Sequence, residues 1–112
     1  MNHTHELQGD IATFTLEGSL LSEADRESIK QDFTKYIEDG TTKFLIDLTE
    51  LKHINSTGLG VFITLYTKVR GKGGEMVMAN PSSNIQNLLT ITKLNTVFTL
   101  ADTRDEGLSK LA

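Results

Sequence analysis

"KFLIDLTELKHINSTGLGVFITLYTKVRGKGGEMVMAN", Lys43 to Asn80, is the stretch that decides the fold class. It begins with "KFLIDL", where three consecutive apolar residues, Phe44 to Ile46, suit a short strand buried on both faces. The period then changes. Leu59, Phe62, Ile63, Tyr66 and Val69 recur at helical spacing and predict a helix that ends near Gly71. "EMVMAN" follows as a second central strand, closed by Pro81. Strand, helix and strand in that order imply parallel strands joined by a helical crossover.

Working outward, the flanks repeat the theme. "DIATFTLEG" alternates, with Phe14 and Leu16 expected inward, and predicts a strand ending at Gly18. A short strand at His5 to Gln8 is expected to pair with it across a Gly9-Asp10 hairpin turn. "SEADRESIKQDFTKYIEDG" predicts a helix capped by Ser22 and stopped by Gly40, its apolar stripe formed by Ala24, Ile29, Phe33, Tyr36 and Ile37. Beyond the central unit, "SSNIQNLLTITKL" predicts a short helix through Ile85, Leu88 and Leu89. "TVFTL" predicts a last strand and "TRDEGLSKLA" a last helix, weakened by Gly107. The order β-β-α-β-α-β-α-β-α describes an α/β fold: one domain over residues 1–112, with a mixed, mostly parallel sheet and about four helices packed on it.

Composition excludes several function classes. No apolar run approaches the length of a membrane span, and the N-terminus lacks the basic-then-apolar layout of a secretory signal. With no cysteine there is no disulfide framework, zinc-thiolate site or thiol nucleophile, and a cytoplasmic location is expected. Net charge is −4 with scattered basic residues, which argues against nucleic-acid and membrane partners. The densest basic group, Lys68, Arg70 and Lys72, falls at the end of a predicted helix, where cations complement the helix dipole.

Catalytic constellations are absent from the sequence pattern. His3 and His5 share a strand face but lack an apparent third ligand, so no metal site is expected. His53, three residues before Ser56, has no nucleophile elbow beside it and is expected to be a solvated loop residue. The glycines Gly58 and Gly60 lack the third member of a dinucleotide fingerprint, and "GKGG" at Gly71 to Gly74 lacks the outer glycine and following hydroxyl of a P-loop. Neither enzyme activity nor a cofactor is expected. The acceptor triplets Asn55-Ser56-Thr57 and Asn2-His3-Thr4 carry no weight without an export signal.

What remains is "HINSTGLG", His53 to Gly60. Asn55, Ser56 and Thr57 are all good N-cap residues, and any of them could satisfy an orphan amide of the helix that follows. Gly58 and Gly60 are expected to let a second backbone approach the first turn. An exposed serine there suits phosphorylation, which would add about −1.5 to −2 charges at a helix N-terminus able to hold them.

Taken together, "IATFTLEG", "FLIDL", "STGLG", "GGEMVMAN" and "IQNLLTITKLNTVF", in this order and at these distances, resemble the STAS domain of bacterial anti-sigma factor antagonists. The resemblance runs from about Asp10 to the C-terminus. It implies a partner switch with phosphorylation at Ser56, Thr57 as the minor alternative, and a partner-binding segment of Asn55, Ser56, Thr57, Gly58, Leu59 and Gly60. The unphosphorylated protein would bind an anti-sigma factor with serine-kinase activity and release the sigma factor. A serine phosphatase would reverse the modification. Independently of the resemblance, a monomer is expected for a domain whose own helices cover its sheet. One departure stands out: the family's acid before the serine is Asn55 here, which keeps a capping oxygen but loses the charge. The resemblance is also compatible with an interaction subunit regulating a non-transcriptional complex, such as a lipid-transport or secretion-linked partner switch.

Overall fold

The computed structural model describes residues 1–112. The chain runs through β1 (Asn2–Gln8), β2 (Ile11–Leu20), α1 (Glu23–Glu38), β3 (Lys43–Ile54) and α2 (Ser56–Gly71). It continues through β4 (Glu75–Ala79), α3 (Ser83–Ile91), a 3-10 turn (Leu94–Thr96), β5 (Thr99–Ala101) and α4 (Arg104–Leu111). The five strands form one sheet in the order β1-β2-β3-β4-β5. Only the β1–β2 pair is antiparallel, with Gln8 opposite Ile11 across the expected Gly9-Asp10 turn.

This strand order places the helices. Each crossover carries the chain one strand further in the same direction, and crossovers of one hand therefore lay their helices on one face. Ile29 and Phe33 of α1, Phe62 and Leu65 of α2, and Ile85 and Leu89 of α3 share a single core with Phe14, Phe44, Ile46 and Met78. The last helix, α4, follows the final strand and is free to cover the other face, over Leu45, Val77, Ala79 and Ala101. The run Phe44–Ile46 is buried on both sides because its alternate residues serve these two cores. At the centre of the larger core, Phe33 stacks on Phe44 with ring centroids 4.1 Å apart and tilts against Phe14 at 5.4 Å. Each of these buried rings contributes about 1.5–3 kcal/mol.

Four features differ from the sequence expectation. First, β2 continues past Gly18 to Leu20, and β3 past Leu48 to Ile54, where they pair with each other beyond the end of β4. The extension crosses register shifts on either side of Gly18 and is anchored by Leu20 and Leu51, both fully buried. Second, the buried stripe of α2 includes Val61 and Leu65, while Ile63 is 44% exposed, because α2 packs against α1 as well as the sheet. Ala24 of α1 is also exposed. Third, Thr96 belongs to the 3-10 turn and Val97 is exposed, so β5 begins only at Thr99. Fourth, Gly107 is where α4 presses on the sheet. A Cβ there would lie 2.5 Å from Leu45 Cδ1, so the glycine permits the packing that its helix propensity alone would disfavour.

Candidate functional site at the start of α2

The extended end of β3 delivers Asn55 in a non-helical conformation (φ −120°, ψ −167°), and the helix starts at Ser56. Asn55 does all the capping. Its side-chain oxygen accepts the Gly58 amide at 3.1 Å, and its carbonyl accepts the Leu59 amide at 3.0 Å. Its side-chain nitrogen donates to the Leu21 carbonyl at 3.2 Å, tying the start of α2 to the β2–α1 connection. The amide is used at both ends. An aspartate could accept from Gly58 but would set a carboxylate oxygen against the Leu21 carbonyl, so this geometry accounts for asparagine at the position.

With the cap supplied from one residue back, the exposed Ser56 side chain takes no part in it. Thr57 is half-buried. The amides of Ser56 and Thr57 stand in the first turn, ahead of any intrahelical acceptor. The first turn of α2 carries no acidic residue to neutralise the positive helix end. A phosphoryl group on Ser56 would therefore meet free donors and a favourable dipole.

The rest of "NSTGLG" divides sharply. A Cβ on Gly58 would lie 2.7 Å from the Leu20 carbonyl oxygen and 3.1 Å from Ile54 Cβ, so the expected close backbone approach occurs there. At Gly60 nothing lies within 4 Å of such an atom, and the expectation of a close approach fails. Leu59 turns into the core, 8% exposed, so among the expected partner-binding residues it and Gly58 act from below the surface. In their place the surface offers two apolar side chains that the sequence reading missed. Ile63 follows Ser56 and Gly60 on one helical face, and Leu21, 49% exposed, belongs to the segment that Asn55 holds. A signal for Leu21 existed in the sequence. It precedes the N-cap Ser22, where an apolar residue usually packs against the fourth helical position, but that position is Arg26.

The other candidates take structural places. His53 is not in a loop: it lies in β3, opposite Ser19 of β2, and is exposed. His3 and His5 face α1, where His3 Nε2 lies 2.7 Å from Asp32 Oδ2 and His5 Nδ1 lies 2.7 Å from the Tyr36 hydroxyl. No group of three potential ligands is arranged to hold a metal ion. Arg70 bends to Glu75 at 3.1 Å and leaves the basic group it shares in sequence with Lys68 and Lys72. A depression of about 300 Å³ at the C-terminal ends of β4 and β5 is lined by three side-chain amides, the Thr90 hydroxyl and Asp102 beside Pro81, Leu100 and Ala101, with no nucleophile and base brought together. No helix is long and apolar enough to cross a membrane.

Residues 4–107 match the family model described as the STAS domain. The anti-sigma-B factor antagonist of Listeria monocytogenes is 34% identical over 61 residues, 54% of this chain and 54% of that protein. The crystal structure of TM1081 from Thermotoga maritima superposes with a TM-score of 0.89 at 19% identity, covering 97% of this chain and 93% of that one. The Bacillus cell fate determinant SpoIIAA in its phosphorylated form superposes with a TM-score of 0.80 at 18% identity, covering 99% and 100%.

Proposed function

The chain belongs to the STAS domain family, and on that premise we propose that it is an anti-sigma factor antagonist that switches partners through phosphorylation of Ser56. It is a regulator and not an enzyme. In its unphosphorylated form it docks on a cytoplasmic anti-sigma factor with serine-kinase activity and frees the sigma factor. Phosphorylation ends the docking, and a serine phosphatase restores it. The observation that carries the reading is the division of labour at the start of α2: Asn55 caps the helix, and Ser56 is left exposed at its positive end. Half-burial of Thr57 favours Ser56 as the acceptor. The capping role of Asn55 also supports a working switch without the family's acid, since the serine is held in place by hydrogen bonds that need no charge.

The docking surface in this reading is Asn55 and Ser56 with the exposed apolar side chains of Leu21 and Ile63. A doubly charged group at its centre would be desolvated and unpaired in the complex, which ends binding without unfolding either protein. The test is phosphate mapping by mass spectrometry after incubation with the cognate kinase and ATP, together with pull-downs from the native cell. Phosphate is expected on Ser56, and Ser56→Asp is expected to weaken the complex at least about a hundredfold, the scale of one unpaired buried charge. Ser56→Ala should bind constitutively. Phosphate elsewhere, or a Ser56→Asp variant that binds like the wild type, would defeat the proposal. Recovery of transport or secretion subunits in place of an anti-sigma factor would move the same surface to a non-transcriptional complex.

A further inference from the structure

The basic residues of this chain are not scattered in space. α1 and α2 lie side by side, and the seam between them holds two open depressions that share Thr34 and Lys68, with a closed void too small for water beyond Lys30. The open depressions join into one groove, with about 420 Å³ along α1 and about 290 Å³ at the end near Gly71. Four of the chain's 11 basic residues line it, Lys30, Lys35, Lys68 and Lys72, and a fifth, Arg26, borders the void beyond Lys30. Two carboxylates, Glu27 and Glu38, oppose them. This excess of positive charge occurs in a protein whose net charge is −4.

Two observations separate these cations from ordinary surface lysines. Elsewhere, Lys43, Lys52, Arg70, Arg104 and Lys110 each sit within 4 Å of a carboxylate, and Lys93 is the one exception. None of the four groove lysines has such a partner, although Glu27 and Glu38 are close by. Beside the void, Arg26 pairs with Glu23 at 3.6 Å, and its Nε is a buried donor with no acceptor.

We propose that the α1–α2 groove is a docking channel for an extended acidic segment of a partner protein. The chemistry favours a peptide over a compact phosphate. The lining has no turn of converging backbone amides, and its four cations are flexible ammonium groups strung along two helices. Arg26 to Glu38 spans about 18 Å of helix, the reach of five or six extended residues. The groove starts at the end of the molecule where Asn55 ties the β2–α1 connection to α2, so one partner could cover both surfaces. Its charge does not depend on Ser56, and the two proposals can fail separately.

The test uses the full chain and a fluorescein-labelled acetyl-hexaglutamate amide, followed by polarisation and by amide chemical shifts. Saturable binding that weakens as salt is raised is expected, with shifts concentrated along α1 and the C-terminal half of α2. Lys30→Glu/Lys68→Glu should weaken it at least about tenfold, since each change places like charges together. Lys93→Glu, which reverses the unpaired lysine outside the groove, should leave it unchanged. If the double variant loses its fold, the wild-type shift map alone decides. Absence of saturable binding, shifts elsewhere, or equal weakening by Lys93→Glu would overturn the assignment. So would tighter binding of inorganic tripolyphosphate or of phosphatidylserine vesicles than of the peptide.

Discussion

At the start of α1 the Ser22 hydroxyl accepts the Asp25 amide at 3.2 Å, and at the start of α3 the Ser82 hydroxyl accepts the Ile85 amide at 3.3 Å. At the start of α2 a serine stands one residue further along, and Asn55 makes the equivalent bond. The offset is one position, yet it changes what the hydroxyl is for. In α1 and α3 the hydroxyl is occupied by the fold, whereas in α2 it is available to another molecule. The charges set α1 apart from the other two, and α3 carries its own exposed serine, Ser83, one residue past its cap. Glu23 and Asp25 already neutralise the N-terminus of α1, while the first turns of α2 and α3 have no acid.

That contrast can be tested by weakening one side at a time. The largest stability effect is expected from Gly58→Ala, because the added Cβ would press on the Leu20 carbonyl oxygen at the foot of the site. It should cost about 2 kcal/mol net of the better helix propensity, measured by urea unfolding. A variant as stable as the wild type would mean that the β2–α1 connection yields easily and does not position Ser56. Next come the caps. Ser22→Ala, Ser82→Ala and Asn55→Ala should each cost about 1 kcal/mol, whereas Ser56→Ala should stay within about 0.5 kcal/mol of the wild type. Equal losses at Ser22 and Ser56 would erase the distinction. Asn55→Asp keeps the Gly58 bond and loses the one to Leu21, so its cost should fall below that of Asn55→Ala, at about 0.5–1 kcal/mol. The smallest effect is electrostatic and remote from the site. Lys43, 3.0 Å from the Asp10 carboxylate, holds its pKa below the ordinary value, first by hydrogen bonding and then by charge. A depressed carboxylate pKa contributes stability above the unfolded-state value, and the contribution fades as pH falls through the folded one. Asp10→Asn should therefore flatten only the acid limb of the stability profile, and only slightly, since Asp10 is fully solvated.

The sequence made the order of elements legible because each change of period coincides with a cap or a glycine. It did not make the cap of α2 legible. Asn55, Ser56 and Thr57 are chemically equivalent candidates, and only the backbone, extended at Asn55 and helical from Ser56, chooses among them. The end of β3 was hidden for another reason. "TELKHI" has no strand alternation, and its pairing comes from the end of β2, on the other side of α1 in the chain. Ile63 fits a one-sided helix stripe, but α2 is packed by two neighbours and its buried arc is turned toward Val61 and Leu65. Gly107 looks like a weak point until Leu45 is placed beneath it.

The uninterrupted strand order also bears on how the chain assembles. Every strand pairs with its neighbour in sequence, so the sheet can grow outward from the β1–β2 hairpin without a distant segment having to insert between formed strands. Topologies of this kind pay little loop-closure entropy and fold quickly for α/β domains. The exception is Arg104 at the start of α4, which binds Glu6 across a separation of 98 residues and also reaches Thr15 and Asp47. That clasp closes the two ends of the chain over the finished sheet. It is the contact expected to form last, and α4 is the helix expected to exchange its amide protons first when the molecule opens locally.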